Sequence, residues 1–246
     1  MRSKVKALPI YLVVLVWIAP QARGPAAPRA VAPIDLTGYW VSIITEDWRL
    51  RMVTPLKGDY SNVPLNREGR RVADLWEPSQ DTPQNSCKAY GAPAIMRMPV
   101  RLHIQWENES TLRVDIDSGQ QTRLFHFNDS AAPKGERTWQ GYSKASWEFA
   151  GPRGAAPVPG GNLKVVTDNL RAGYLRRNGV PYSEDAVITE YFDRHADFGG
   201  EWITHTRILQ DPKYLAQPHI LTSHFRREPD GSKWHPTPCE VIPPPK

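Results

Sequence analysis

Several features of common enzymes are missing from this 246-residue chain. It has only two cysteines and four methionines, and its seven histidines are scattered, with no HExxH sequence and no Cys/His cluster. GxSxG, GxGxxG and GKS sequences are also absent. Zinc hydrolases, serine hydrolases and nucleotide-binding enzymes are usually recognised by these sequences. We therefore expect no metal site and no organic cofactor.

The chain also lacks an apolar run long enough to span a membrane, which takes about 20 residues. The longest run, residues 7–19, has thirteen residues and follows the basic start Met-Arg-Ser-Lys-Val-Lys. Small residues and prolines come after it. Together these features predict a secretory signal peptide, with its spacer, over residues 1–30. An uncleaved N-terminal anchor is the alternative, and after cleavage we expect no stable membrane span.

A strong charge of one sign is missing from the expected mature chain. The formal net charge of +5 comes from 31 basic and 26 acidic residues. Five of the basic residues lie in residues 1–30, where there is no acid, so cleavage would leave 26 of each sign. The pairs Arg176-Arg177 and Arg226-Arg227 are isolated and form no basic stripe. The sequence therefore predicts no nucleic-acid partner.

The two cysteines are Cys87 and Cys239, and neither lies in a CxxC or a nucleophile sequence. In an exported chain, two cysteines most simply form one disulfide. This bond would tie the C-terminal end of the chain to an early loop. Two unpaired structural cysteines or a reactive thiol are the alternatives. With the signal peptide, the pair predicts a periplasmic or secreted protein.

Turn-forming residues are plentiful, with 24 prolines and 17 glycines. The apolar stretches between them predict about nine or ten β-strands, and residues 64–76 have the spacing of one short helix that Asn66 can cap. Hairpin-like connections predict an all-β fold, an antiparallel up-and-down β-barrel, with a two-sheet sandwich as the alternative. We expect one domain, residues 35–242, and a disordered tail, residues 243–246. The long loops 151–161 and 170–185 are candidates to gate the mouth of the barrel.

The start of this domain, Leu36-Thr37-Gly38-Tyr39-Trp40, is similar to the Gly-x-Trp start of lipocalin-like barrels. The resemblance implies that Trp40 packs at the closed end of a barrel. It also implies that an arginine from the last strand, Arg226 or Arg227, covers the tryptophan ring.

A broader resemblance covers most of the mature chain. The order of several short stretches looks like that of a large group of exported bacterial β-rich proteins whose general function is unsettled. These stretches are Leu65-Asn66-x-Glu68-Gly69, Cys87 with Ile95-Met96, Trp139, Leu163–Thr167, Tyr182-Ser183-Glu184, Thr189-Glu190-Tyr191-Phe192, Asp211-Pro212 and Pro238-Cys239. The resemblance implies a bacterial, periplasmic protein and transfers no catalytic residue.

The last three predicted strands indicate where a site could lie. Pairing Asp193 with Glu201, and then Ile208 with Pro218, would direct one set of side chains to the barrel interior. That set includes Glu190, Phe192, Trp202, Thr204, Thr222 and His224. A one-residue slip would exchange the two faces of a strand.

In this pairing, Glu190 is a carboxylate among aromatic side chains. Desolvation would raise its pKa and make it a general acid or base near neutral pH, with His224 as the second catalytic group. The alternative is that Glu190 accepts hydrogen bonds from Thr204 and Thr222 and only holds the barrel together. A third alternative is ligand binding without chemistry, with Phe192, Trp202, Thr204 and Thr222 as candidate ligand contacts.

An earlier predicted strand, residues 121–127, offers a further polar group. A two-residue turn before this strand would direct Arg123 inward, and a three-residue turn would direct His126 inward. Arg123 would suit a carboxylate or phenolate ligand. An exposed arginine or a hydrogen-bonded core histidine is the alternative.

These observations lead to three functional hypotheses. The first is an exported β-barrel that binds a small hydrophobic or aromatic molecule. The second is a cofactor-independent lyase, isomerase or hydrolase that uses a Glu/His pair inside the barrel. The third is an envelope module that binds another protein through its loops or edge strands. The ligand, the reaction and the oligomeric state stay open.

Overall fold

The computed structural model of the protein describes residues 26–128, 135–151 and 160–245. The predicted signal segment lies almost entirely outside these residues, as does most of the loop 151–161. The elements, in chain order, are β1 (Gly38–Ile43), α1 (Trp48–Met52), α2 (Arg67–Leu75), α3 (Ala92–Ile95), β2 (Arg101–Asn108), β3 (Thr111–Ile116), β4 (Gln121–His126), β5 (Tyr142–Phe149), β6 (Gly161–Asp168), β7 (Gly173–Arg176), β8 (Val180–Tyr182), β9 (Val187–Asp197), β10 (Gly200–Gln210) and β11 (His219–Glu228).

Nine strands form one closed barrel in the order β1-β11-β10-β9-β6-β5-β4-β3-β2, and β7 and β8 form a separate hairpin. The predicted all-β barrel is confirmed. One detail is corrected, because β4 and β5 run parallel and pair only at Phe125 with Ser143 and at His126 with Lys144. The first residues of β5 lie beside the last residues of β4 and the two strands run in the same direction, so they do not form a hairpin.

Three short helices accompany the barrel, and α3 is buried, with Ile95 in the same core cluster as the interior residues Trp40 and Phe125. The predicted helix is α2, where the side chain of Asn66 accepts a hydrogen bond from the backbone N–H of Gly69 at 2.8 Å. The helices α1 and α3 have only five and four residues, and the sequence pattern did not predict them. Over the described ranges, no helix combines the length and the hydrophobicity needed to cross a membrane.

One end of the barrel closes around Trp40, whose side chain is fully buried. Its indole N–H donates a hydrogen bond to the carbonyl oxygen of Leu36 at 2.9 Å. The guanidinium of Arg227 lies 5.6 Å from the centre of the indole ring and also bonds Glu201 at 2.7 Å. Gly38 has φ +117°, and a Cβ there would lie 3.2 Å from Arg227 Nη2. Of the two candidate arginines, Arg227 is therefore the one that covers the tryptophan.

The predicted pairing of the last strands is wrong. Asp193 of β9 pairs with Thr204, not with Glu201, a shift of three residues that reverses the faces of β10. The reason is the turn, because Phe198 and Gly199 alone connect the strands, both with positive φ (49° and 67°) as in a type I′ turn. Phenylalanine rarely adopts positive φ, so the sequence suggested a longer loop.

The three-residue shift between β9 and β10 determines which of the predicted side chains face the barrel interior. Ile208 pairs with Ile220 instead of Pro218, a shift of two residues that keeps β10 and β11 in phase. Glu190 and Phe192 of β9 face inward as predicted. The inward residues of the next two strands are Ile203, His205, Arg207, Leu221, Ser223 and Phe225. The residues predicted to face inward, Trp202, Thr204, Thr222 and His224, lie on the outer face.

The predicted disulfide between Cys87 and Cys239 is confirmed. It joins the 3-10 segment Pro83–Tyr90 to the C-terminal segment across a sequence separation of 152 residues. A hydrogen bond also joins these two segments, since the Tyr90 hydroxyl accepts from the backbone N–H of Glu240 at 3.1 Å. The bond therefore fixes the C-terminal segment to the same end of the barrel as α3.

We expect replacement of both Cys87 and Cys239 by serine to lower the free energy of unfolding by about 4 kcal/mol, because the unfolded chain loses a very long closed loop. Urea denaturation at neutral pH measures this difference. The oxidised and the reduced wild-type proteins should differ by a similar amount. Equal denaturation midpoints for the oxidised wild type and the variant would show that the bond contributes no stability.

Candidate functional site

A buried ion pair crosses the middle of the barrel. Arg123 of β4 donates two hydrogen bonds to Glu190 of β9, from Nη1 to Oε1 at 2.9 Å and from Nη2 to Oε2 at 2.5 Å. His205 of β10 contacts the same Oε1 through Nε2 at 2.9 Å. The side chains of Arg123 and Glu190 are both 0% exposed. Of the two predicted alternatives, Arg123 is thus the inward residue of its strand.

Polar and aromatic side chains complete the surroundings of this ion pair. The hydroxyl of Thr167 accepts a hydrogen bond from Arg123 Nη2 at 3.2 Å, and it lies 2.7 Å from the hydroxyl of Ser143. Phe192 packs against the ring of His205 with 4.7 Å between ring centres. The interior at this level is a packed network that joins β4, β5, β6, β9 and β10.

The charge state of Glu190 differs from the prediction. Burial alone would raise its pKa, but the charge and the hydrogen bonds of Arg123, with the hydrogen bond of His205, hold the pKa well below its usual range. Burial lowers the pKa of His205 despite the adjacent carboxylate, so the ring is neutral and Nε2–H donates to Glu190. Glu190 is therefore an ionised partner of Arg123 and not a proton donor near neutral pH.

The other predicted catalytic residue, His224, is not brought to Glu190. It lies on the outer face, where its Nδ1 is 3.4 Å from the hydroxyl of Thr204. The predicted Glu190/His224 pair is therefore absent, because the register of β10 differs by an odd number of residues.

The remaining predicted ligand contacts are also separated. The indole N–H of Trp202 donates to the carbonyl oxygen of Asp197, and its ring lies 5.7 Å from the guanidinium of Arg226. Thr222 offers its main-chain oxygen to Arg97 at 2.7 Å. His126 stacks on Tyr142 with 4.8 Å between ring centres. A role for these residues in ligand binding stays a prediction, but they do not share one interior site.

A second group of charges lies at the end of the barrel opposite Trp40. Five arginines there surround a pocket of about 60 Å³, which we call the arginine pocket. Its arginines are Arg51 of α1, Arg97 after α3, Arg176 of β7, Arg177 in the following turn and Arg207 of β10. His219, the first residue of β11, also lines it. Part of its wall comes from the segment 170–185, which the sequence suggested as a gate.

Two of these arginines are paired with acidic residues. Arg51 and Arg97 both bond Glu46, at 2.7 and 2.8 Å, and Arg97 also bonds Asp47 at 3.0 Å. These contacts fix the loop between β1 and α1 to the pocket wall. They also neutralise part of the positive charge.

The other three arginines have only neutral partners. Arg176 donates to the carbonyl oxygen of Ser61, Arg177 donates to the hydroxyl of Tyr90 at 3.3 Å, and Arg207 donates to His219 Nδ1 at 3.2 Å. Among the residues that the structure describes, no carboxylate forms an ion pair with any of the three. This is unusual, because a buried charge normally has a partner of opposite sign.

Five residues that line the pocket each retain a buried nitrogen without a hydrogen-bond partner. The atoms are Arg51 Nη2, Arg176 Nη1, Arg177 Nε, Arg207 Nε and His219 Nε2. Since His219 Nδ1 accepts from Arg207, its Nε2 carries the proton and is a donor. Buried nitrogens without partners also occur elsewhere in the described ranges, at Arg123 Nε and Arg194 Nε, so it is the convergence of the arginines on one pocket that indicates a site for an anion.

The pKa values of the pocket reflect its uncompensated positive charge. Burial and the neighbouring Arg97 lower the pKa of both Arg51 and Arg207 to about 10. Burial and the charges of Arg207, Arg176 and Arg97 lower the pKa of His219 to about 3. Arg51 and Arg207 therefore stay charged and the histidine stays neutral near pH 7. A bound anion would relieve this repulsion.

The described ranges contain no group of three or more His, Cys, Asp or Glu side chains that could hold a metal ion. Comparison of the chain with protein-family models, with characterised proteins and with solved structures found no significant match. The candidate site therefore depends on the geometry of this chain alone.

The buried ion pair generates a test of stability. We expect Glu190→Gln to lower the free energy of unfolding by about 3–5 kcal/mol at neutral pH, because it leaves Arg123 buried without a counter-charge. A carboxylate whose folded pKa is lowered contributes its full stability above its unfolded pKa of about 4.5 and loses it as pH falls further. The difference from wild type should therefore shrink below about pH 4.5, as urea denaturation over a pH series would show.

Glu148→Gln is the matched control for this test, since Glu148 makes only an exposed contact with Lys164 at 3.9 Å. It should change stability little at every pH. If Glu190→Gln does not fold, the double variant Arg123→Met/Glu190→Leu should still fold, because it removes both charges. A Glu190→Gln protein as stable as the control would contradict the described ion pair.

Proposed function

We propose that this chain is an exported β-barrel that binds a small molecule through an anionic group held in the arginine pocket. The observation that carries the proposal is the convergence on one pocket of Arg176, Arg177 and Arg207. These buried or half-buried arginines have no carboxylate partner among the residues that the structure describes. An anionic ligand would supply the missing counter-charge and the missing hydrogen-bond acceptors.

The size of the pocket limits which part of a ligand it can hold. Pockets that enclose drug-sized molecules have about 300–1,000 Å³, whereas this pocket has about 60 Å³. It therefore suits a charged head group. The hydrophobic or aromatic body expected from the sequence would lie against the apolar wall, where Val53 lines the pocket and is 47% exposed.

Export to an oxidising compartment is the second part of the proposal. Residues 1–30 carry the pattern of a signal peptide, and Cys87 and Cys239 are joined. Disulfides persist mainly in secreted and periplasmic proteins. A binding barrel in such a compartment would carry or sense a ligand outside the cytoplasm.

The enzymatic alternative loses its main support. It depended on a raised pKa of Glu190 and on His224 in the same cavity. The structure instead pairs Glu190 with Arg123 and directs His224 outward. Binding through the arginines is the function that the geometry favours.

Arg176→Gln tests the proposal, because glutamine removes the charge and keeps a polar side chain at the pocket wall. We expect wild-type protein to bind benzoate or inorganic phosphate, measured by calorimetry and thermal shift at constant ionic strength against chloride. The variant should bind about tenfold or more weakly, the usual effect of losing a charge-assisted hydrogen bond. Without an anion, its melting temperature should be equal to or higher than that of wild type, because repulsion among the arginines is reduced.

The matched control is Arg71→Gln, since Arg71 lies exposed on α2 and contacts only Glu68. It should bind the anion as wild type does. If neither anion binds more strongly than chloride, or if both variants bind equally well, the arginine pocket is not the binding site.

A further inference from the structure

The charge balance of the arginine pocket indicates how much negative charge its ligand brings. The pocket is lined by five arginines, and the paired acids at its wall are Glu46 and Asp47. The nearby Asp59 is engaged by Arg49 at 3.0 Å. Three positive charges are thus left over around one small volume. A single carboxylate would compensate one of them, and a dianion would compensate two.

The directions from which the donors come indicate the shape of the ligand group. A planar carboxylate is held well by one guanidinium fork, as Arg123 holds Glu190 in this chain. In the arginine pocket, by contrast, the arginines come from several elements, namely α1, the segment after α3, β7, the turn after β7 and β10. Donors on several walls match a group with three terminal oxygens directed in three directions, as in a phosphate monoester.

The size of the pocket agrees with that shape. The volume of about 60 Å³ is sufficient for one such group and excludes the rest of a larger molecule. Val53 and Leu50 on the wall would contact the first apolar atoms beyond the charged group.

We propose that the arginine pocket selects a doubly charged tetrahedral oxyanion, the terminal phosphate of a phosphomonoester, over singly charged and planar anions. This inference rests on the proposed function and assigns a ligand class to the same site. Arg207 has the central position, because its side chain is buried between the pocket and the ion pair of Glu190. Arg176 and Arg177 provide the outer wall.

Three aromatic anions of similar size separate charge from shape. Phenyl phosphate is a tetrahedral dianion, benzenesulfonate is a tetrahedral monoanion, and benzoate is a planar monoanion. At about pH 7.5, calorimetry should show phenyl phosphate binding about tenfold or more tightly than either monoanion. Arg176→Gln should weaken phenyl phosphate more than benzoate, and Arg71→Gln should change neither.

The pH dependence gives an independent readout. The second pKa of a phosphate ester is about 6, so phenyl phosphate loses one charge between about pH 7.5 and pH 5. Its affinity should fall over this range, while that of benzenesulfonate should stay constant. The pKa of His219, held at about 3 by burial and by the arginines, lies below this window, so this histidine stays neutral throughout.

The possible results distinguish this inference from the proposed function. Equal affinities for phenyl phosphate and benzenesulfonate would overturn the proposed selection of a dianion. A preference for benzoate would overturn the proposed selection by charge and by shape. In both cases, anion binding would still be established. No binding of any of the three would overturn the inference together with the proposed function. Tight binding of phenyl phosphate alone would support both.

The source of the phosphomonoester can be tested with the same protein. Phosphatidylcholine vesicles with and without phosphatidic acid present this group on a lipid, and inorganic phosphate presents it free. If the protein cosediments with the vesicles that contain phosphatidic acid, and phenyl phosphate prevents this, the ligand is a lipid head group. Binding of phenyl phosphate without cosedimentation would indicate a soluble ester, and either result supports the assigned chemistry.

Discussion

The carboxylate of Glu190 organises the interior of the barrel. It accepts hydrogen bonds from both terminal nitrogens of Arg123 and from His205, and its side chain is removed from solvent. Each of these ions alone would cost several kcal/mol to bury, so neither charge is tolerated without the other. The charge of Glu190 also raises the pKa of Arg207 against the effect of burial. One carboxylate thus neutralises the centre of the barrel and stabilises the nearest arginine of the pocket.

The two ends of the barrel use arginine in different ways. At the closed end, Arg227 covers Trp40 and has a carboxylate partner in Glu201. At the other end, Arg176 and Arg207 are held by neutral acceptors only. Arg227 thus has a carboxylate within the protein, whereas Arg176 and Arg207 are buried or half-buried and have none among the described residues. The absence of such a partner among the described residues around these two arginines is therefore better explained by a ligand than by the stability of the fold.

The architecture could be predicted from the sequence because the signals that indicate it are local. Alternating strands, turn residues, the Asn66 cap and two cysteines each predict one feature, and the barrel, α2 and the disulfide are all present. The predicted register of β10 was wrong, because the tight turn before this strand contains Phe198 in a conformation that usually requires glycine or asparagine. Because of that one turn, His205 faces the barrel interior and His224 faces outward.

The arginine pocket could not be found in the same way. Its arginines lie between positions 51 and 207, and each belongs to a different local pattern. Only the neighbouring pair Arg176-Arg177 within a long loop near the barrel mouth gave a signal, and a pair of basic residues is usually just a solvated surface. The cluster arises from barrel closure, which brings β10 and the β7–β8 hairpin to one end.

A cluster of like charges opposes folding, so other contacts must hold the walls of the pocket together. The disulfide is well placed to do this, because Cys87 lies two residues before Ala89, which lines the pocket. On the other side of the bond, the hydroxyl of Thr54, also a lining residue, donates to the carbonyl oxygen of Ile242 at 3.1 Å. The C-terminal segment thus connects two walls that the arginines push apart. The disulfide and this hydrogen bond thus lie where they can oppose the electrostatic repulsion among the arginines.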